Sequence, residues 1–181
     1  LSLLAHGHGK HVSRSAYFQR RNIGRIHTFL TTDATKNLVN SLVTSKLDYC
    51  NSLLVGIPNS TLSKLQRVHN TAARIIAKTS RHDHIPPVVN ELHWLSVCQR
   101  INYNILVYTY KSLHDQCSQY IRELLTVYKP TRDLRSNSAL PLVVPQTRTV
   151  TYGKMSFSHT STRLWNALPS LLQSGHHLNI F

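Results

Sequence analysis

Acidic residues are scarce in this sequence. Seven Asp and Glu stand against 21 Lys and Arg, which gives a formal charge of +14 and an isoelectric point near 10.2. So large an excess of one sign makes a polyanion the first partner to consider. Nucleic acid and an anionic membrane surface both fit that description.

Cysteine is also rare. Cys50, Cys98 and Cys117 are odd in number and widely spaced, which excludes a disulfide framework and a CxxC metal knuckle. We therefore expect a reducing, intracellular location, nuclear or cytoplasmic, rather than secretion.

Long apolar runs are missing as well. No run approaches the roughly 18 residues that a membrane-spanning helix needs, and Leu1 to Ala5 is too short for the core of a signal peptide. We expect no transmembrane segment. The chain starts with Leu1 and its only methionine is Met155, so we expect it to be a piece of a longer reading frame.

The residue clusters of common catalytic centres are absent. Two-metal phosphoryl transfer needs grouped carboxylates that hold ions roughly 4 Å apart, whereas the aspartates here are scattered along the sequence. They are Asp33, Asp48, Asp83, Asp115 and Asp133. There is no P-loop, GxGxxG, GxSxG or HExxH motif, and the histidines lack Cys partners for a zinc site. We expect no enzymatic activity, catalytic residue, cofactor, metal site or small-molecule substrate.

Helical periodicity dominates the first two thirds of the chain. Three apolar faces recur at helical spacing: Val12, Ala16, Ile23, Ile26 and Leu30; Leu38, Val39, Leu42, Val43 and Leu47; and Leu65, Val68, Ala72, Ile75 and Ile76. After Lys129 prolines punctuate the sequence, and residues 147–152 alternate as a strand would. The predicted fold is mainly α: a helical bundle of about five to seven helices over residues 1–128, then an irregular region over 129–181 with short strands and a helix.

Two of these helices carry a basic stripe opposite the apolar face. Arg14, Arg21 and Arg25 lie within about 40° on a helical wheel, and Lys64, Arg67, Arg74 and Lys78 lie within about 80°. A stripe of charge is often only a solvated face, but ordinary surface helices mix both signs. These seven side chains are therefore the candidate phosphate contacts.

The aromatic stretch NELHWLSVCQRINYNILVYTYKSLH, residues 90–114, has two interpretations. Its residues are either part of a core or a platform on which nucleobases stack. Residues 81–128 carry four basic and four acidic side chains and hence no net charge, and stacking platforms normally have Lys or Arg beside them. We therefore expect Ile105 and Tyr108 to lie in the core.

Five segments, in order, resemble the part that follows the polymerase palm in LINE-type non-LTR retrotransposon reverse transcriptases. They are LVTSKLDYCNSLLVGIP, LQRVHNTAARII, DHIPPVVNELHWLSVCQRINYNILVYTYKSLH, YIRELLTVYKPTRDLRS and LWNALPS. The resemblance covers about Val12 to Phe181. It implies a helical thumb in a parent RNA-directed DNA polymerase, where it would hold the RNA template and DNA primer. The YxDD-type palm motif and the endonuclease domain that catalyse in that family are not in this chain.

The expected function is thus that of a catalytically incomplete fragment that holds RNA or DNA by its backbone. Two alternatives stay open: a basic helical module that binds a protein partner or an anionic membrane, and a decayed relic without selected function. The sequence leaves the oligomeric state open.

Overall fold

The computed structural model of the chain describes residues 2–80, 82–128, 141–149 and 153–173. It is mainly helical, as predicted. The α-helices are α1 (Ser2–Ile26), α2 (Thr32–Val39), α3 (Ser45–Asp48), α4 (Asn59–Ala77), α5 (Ile85–Glu91), α6 (Val97–Leu113), α7 (Gln119–Arg122), α8 (Phe157–Asn166) and α9 (Ser170–Gln173). They belong to two compact units, residues 1–101 and residues 102–181.

In the first unit, α1 packs against α4 and against the continuous helical segment formed by α2, the π-helical residues Asn40–Thr44 and α3. The predicted apolar faces supply most of the core. Its fully buried members include Ala16, Ile23, Val39, Val43, Leu65, Ala72 and Ala73. The prediction for Ile26 is wrong, because that side chain is 47% exposed at the end of α1.

The helix ends follow local chemistry. Thr31 caps α2, since its Oγ1 accepts a hydrogen bond from the Ala34 amide at 3.3 Å. After α3, Cys50 adopts a left-handed conformation with φ 52°, and a 3₁₀ turn, Asn51–Leu54, follows. The helix α4 begins at Asn59, directly after Pro58, and has no side-chain cap.

A buried histidine joins α4 to the segment between α5 and α6. His69 is 1% exposed and neither ring nitrogen has a hydrogen-bond partner among the described residues. Its ring packs on Trp94 at 4.7 Å between centroids. Burial, together with the charge of Arg100, lowers the pKa of His69 from 6.5 to about 4. Arg100 itself forms an ion pair with Asp48.

The aromatic stretch is only partly core. The buried stripe of α6 consists of Val97, Ile101, Ile105, Thr109 and Ser112. Ile105 is therefore in the core as predicted, but Tyr108 is 43% exposed and Tyr103 is 41% exposed, so the prediction for Tyr108 is wrong. The helical period does not explain this exposure, because Tyr108 follows Ile105 by three positions and precedes Ser112 by four and so shares their face.

In the second unit, the LWNALPS motif begins in the last turn of α8 and ends at Ser170, the first residue of α9. Trp165 is 2% exposed, and the Asn166 side chain binds both backbone groups of Leu142, accepting from its N at 2.9 Å and donating to its O at 2.8 Å. Gln173 donates from Nε2 to the Trp165 carbonyl at 2.8 Å. These residues therefore have structural roles.

The predicted short strands do not occur in the described part of the chain. Residues 141–149 contain only an isolated antiparallel bridge between Leu142 and Val127. Of the strand predicted over residues 147–152, residues 147–149 are not in a strand and residues 150–152 lie outside the described residues. The prolines at 141 and 145 have no backbone N–H to donate, so the pairing does not extend from this bridge into a ladder of hydrogen bonds.

Candidate nucleic-acid interface

The two basic helices lie side by side and run parallel. A β-carbon built on Gly9 of α1 would lie 3.1 Å from Thr61 near the start of α4, and one built on Gly24 would lie 3.7 Å from Ile75 near its end. Both helices therefore advance in the same direction. The first contact is tight, since a β-carbon on Gly9 would require the Thr61 methyl group to shift by a few tenths of an ångström.

A groove of about 690 Å³ opens between these helices. We call it the α1–α4 groove and define it by the residues that line it. They are Gly9, Lys10, His11, Ser13, Arg14, Tyr17, Thr61, Lys64, Arg67, Val68 and Thr71. Four of them are cationic and none is acidic, which makes the groove a site of positive potential.

Three of the seven predicted contacts meet in the α1–α4 groove: Arg14, Lys64 and Arg67, all exposed. Arg21 and Arg25 are also exposed but do not line it. They continue the Arg14 stripe along the same face of α1. The structure thus brings the two predicted stripes together over part of their length.

The other two predicted contacts lie at the far end of α4. Arg74 is half-buried, its Nη2 donates to the Asp83 carbonyl at 3.3 Å, and its Nε is buried without a hydrogen-bond partner among the described atoms. Lys78 is exposed in a left-handed conformation, with φ 53°, at the end of the helix. Arg74 is therefore partly engaged within the protein, which a helical wheel cannot reveal.

Sequence reasoning missed Lys10, His11 and Tyr17. The signal for all three was present, because Lys10, His11 and Tyr17 lie four, three and three residues from Arg14 and hence on the same side of α1. Tyr17 is 53% exposed, and the Arg20 guanidinium carbon lies 4.8 Å from the centre of its ring.

None of the described carboxylates lines the groove. Asp48 pairs with Arg100, and Asp115 pairs with Arg122. Asp83 accepts a hydrogen bond from the Ser80 amide at 2.6 Å. Asp33 lies in the first turn of α2, and Asp133 is outside the described residues. In the part of the chain that the structure describes, neither ion pair uses a groove cation.

Other kinds of site have little support in the described ranges. There, no three His, Cys, Asp or Glu side chains gather closely enough to hold a metal ion. None of the described helices combines the length and apolar character needed to cross a bilayer.

No protein-family profile, curated protein or solved structure matches this chain. The similarity to retrotransposon reverse transcriptases therefore stays a prediction from five sequence segments.

Proposed function

We propose that this chain holds nucleic acid by its sugar-phosphate backbone in the α1–α4 groove. The observation that carries the proposal is the convergence of Lys10, Arg14, Lys64 and Arg67 on one groove without an acidic lining residue. Arginine binds phosphate oxygens through a planar fork, and lysine contributes a compact positive charge. Such contacts give affinity but carry no base information.

The resemblance to the post-palm segment of retrotransposon reverse transcriptases supports the same role. In that setting the first unit would act as a thumb that keeps template and primer in place for a palm supplied elsewhere. We propose that the chain alone does not polymerise, since the aspartates described above are dispersed and two of them are held in ion pairs.

The test is a double charge reversal at two exposed groove residues, Arg14→Glu with Arg67→Glu. Each phosphate contact contributes about 0.7 to the slope of log affinity against log salt for single strands and about 0.9 for duplex. Losing two contacts should flatten the slope by about 1.4 or about 1.8 respectively. Binding should weaken equally for unrelated sequences. Fluorescence anisotropy at a series of salt concentrations measures both effects.

The matched control is Arg148→Glu with Lys154→Glu, which changes the net charge equally at exposed positions of the second unit. We expect this pair to leave the slope nearly unchanged. The proposal fails if the control flattens the slope while the groove pair does not. It also fails if the protein binds phosphatidylserine vesicles but neither RNA nor DNA, since an anionic membrane would then be the partner.

A further inference from the structure

The α1–α4 groove contains an accessible aromatic ring as well as cations. Tyr17 lines it in the turn after Arg14, and more than half of the residue, 53%, is exposed. Arg20 lies over the ring at 4.8 Å but does not itself line the groove. Tyr17 therefore places an exposed aromatic side chain in the wall of the groove.

The groove favours an unpaired nucleotide over a duplex. The bases of a duplex are paired and stacked, and they reach a pocket only when flipped out of the helix. A duplex can therefore touch the rim cations with its phosphates without placing a base in the groove. The volume of about 690 Å³ lies within the range of sites for small organic molecules.

The arrangement of charge and ring matches the chemistry of a single strand. Proteins that bind unpaired nucleic acid combine a cationic track for phosphates with aromatic rings on which bases stack. Here Arg14 precedes Tyr17 by one helical turn, while Lys64 and Arg67 line the opposite wall. The exposed Tyr103 and Tyr108 lack this setting, because neither lines the groove.

We propose that the α1–α4 groove is a single-strand site in which an unpaired base of RNA or DNA stacks on Tyr17 while its flanking phosphates bind Arg14, Lys64 and Arg67. This inference rests on the proposed function and deepens it, since phosphate binding alone requires no aromatic ring. It makes the site selective for unpaired nucleotides.

The experiment compares two probes that carry the same number of phosphates: a thymidine oligonucleotide and an abasic strand of the same length. The full chain should bind the thymidine strand more tightly. Tyr17→Leu, which keeps an apolar side chain but removes the ring, should weaken thymidine binding by roughly 5- to 100-fold. It should leave abasic binding and the salt slope unchanged. Tyr17→Phe should restore wild-type binding.

Phe18→Leu is the matched control, because Phe18 is an adjacent aromatic residue that is 59% exposed but does not line the groove. It should behave as wild type. If Tyr17→Leu and Phe18→Leu bind both probes as the wild type does, stacking on Tyr17 is overturned. The proposed function nevertheless survives if Arg14→Glu with Arg67→Glu still flattens the salt slope. If the wild type binds neither probe, the single-strand site is overturned, and the proposed function falls with it unless the protein binds duplex.

Discussion

The free energy of unfolding should depend on pH through His69, whose ring is buried. Between about pH 6.5 and pH 4 the unfolded chain binds a proton at this position and the folded protein does not. The stability contributed by the neutral ring is therefore fully present above about pH 6.5 and is lost as the pH falls towards 4. At about 1.4 kcal/mol per pH unit, the separation of the two pKa values limits the loss to about 3 kcal/mol.

The substitution His69→Phe isolates this contribution. Phe keeps a ring against Trp94 and cannot be protonated, and no hydrogen bond is lost because neither ring nitrogen of His69 has a partner among the described residues. The variant should be at least as stable as wild type at neutral pH and should lose about 3 kcal/mol less on acidification. Every other ionisable group is common to both proteins, so their contributions cancel in the comparison.

Urea unfolding followed by circular dichroism at a series of pH values measures the difference. His82→Gln, at an exposed histidine, controls for the removal of a histidine as such and should follow the wild-type profile. If His69→Phe loses as much stability between neutral pH and pH 4 as the wild type does, the buried ring is not the group responsible. The lowered pKa of His69 would then be refuted.

Two further predictions concern the core and the chemistry. Ile105→Ala should destabilise the protein by about 2 to 5 kcal/mol, because Ile105 is 1% exposed. Tyr108→Ala should cost about 1 kcal/mol or less, because Tyr108 is 43% exposed. Urea unfolding that ranks the two variants in the opposite order would contradict the assigned burial. The purified chain, given primer, template, nucleotides and Mg²⁺ or Mn²⁺, should extend no primer in a gel assay, and extension that persists after rigorous purification would falsify the proposal that it is not a polymerase.

The helices could be predicted from the sequence because their apolar residues recur at the helical period. Their ends were harder to predict. Cys50 adopts a left-handed conformation that ends the helix after α3. Glycine is the residue that usually marks this conformation, so a cysteine there gives no sequence signal of the break. Likewise, nothing in the periodicity of α6 separates buried Ile105 from exposed Tyr108, since a helix that is apolar on several sides shows no unique inner face. The buried stripe even includes the polar residues Thr109 and Ser112.

Only part of the candidate site could be predicted from the sequence, because helical periodicity shows which residues share a face but not what that face contacts. A helical wheel groups Arg14 with Arg21, and Lys64 with Arg67, because those positions share a face whatever surrounds them. It cannot tell which helices are neighbours, or that α1 and α4 run parallel. It also cannot show that Arg74 donates to the backbone of Asp83. Those facts depend on tertiary contacts far apart in sequence.

The placement of the groove cations has a consequence for the free protein. Tight packing at Gly9 brings α1 and α4 together, so Lys10 and Arg14 face Lys64 and Arg67 across one groove. Like charges at short range repel, and ordinary surfaces avoid this by mixing signs. The reversal of Arg14 and Arg67 should therefore leave the free protein at least as stable as wild type, although it weakens nucleic-acid binding. A polyanion that binds only the folded state relieves the same repulsion and stabilises that state in proportion to its occupancy. The excess positive charge of this groove therefore favours binding of an anionic ligand.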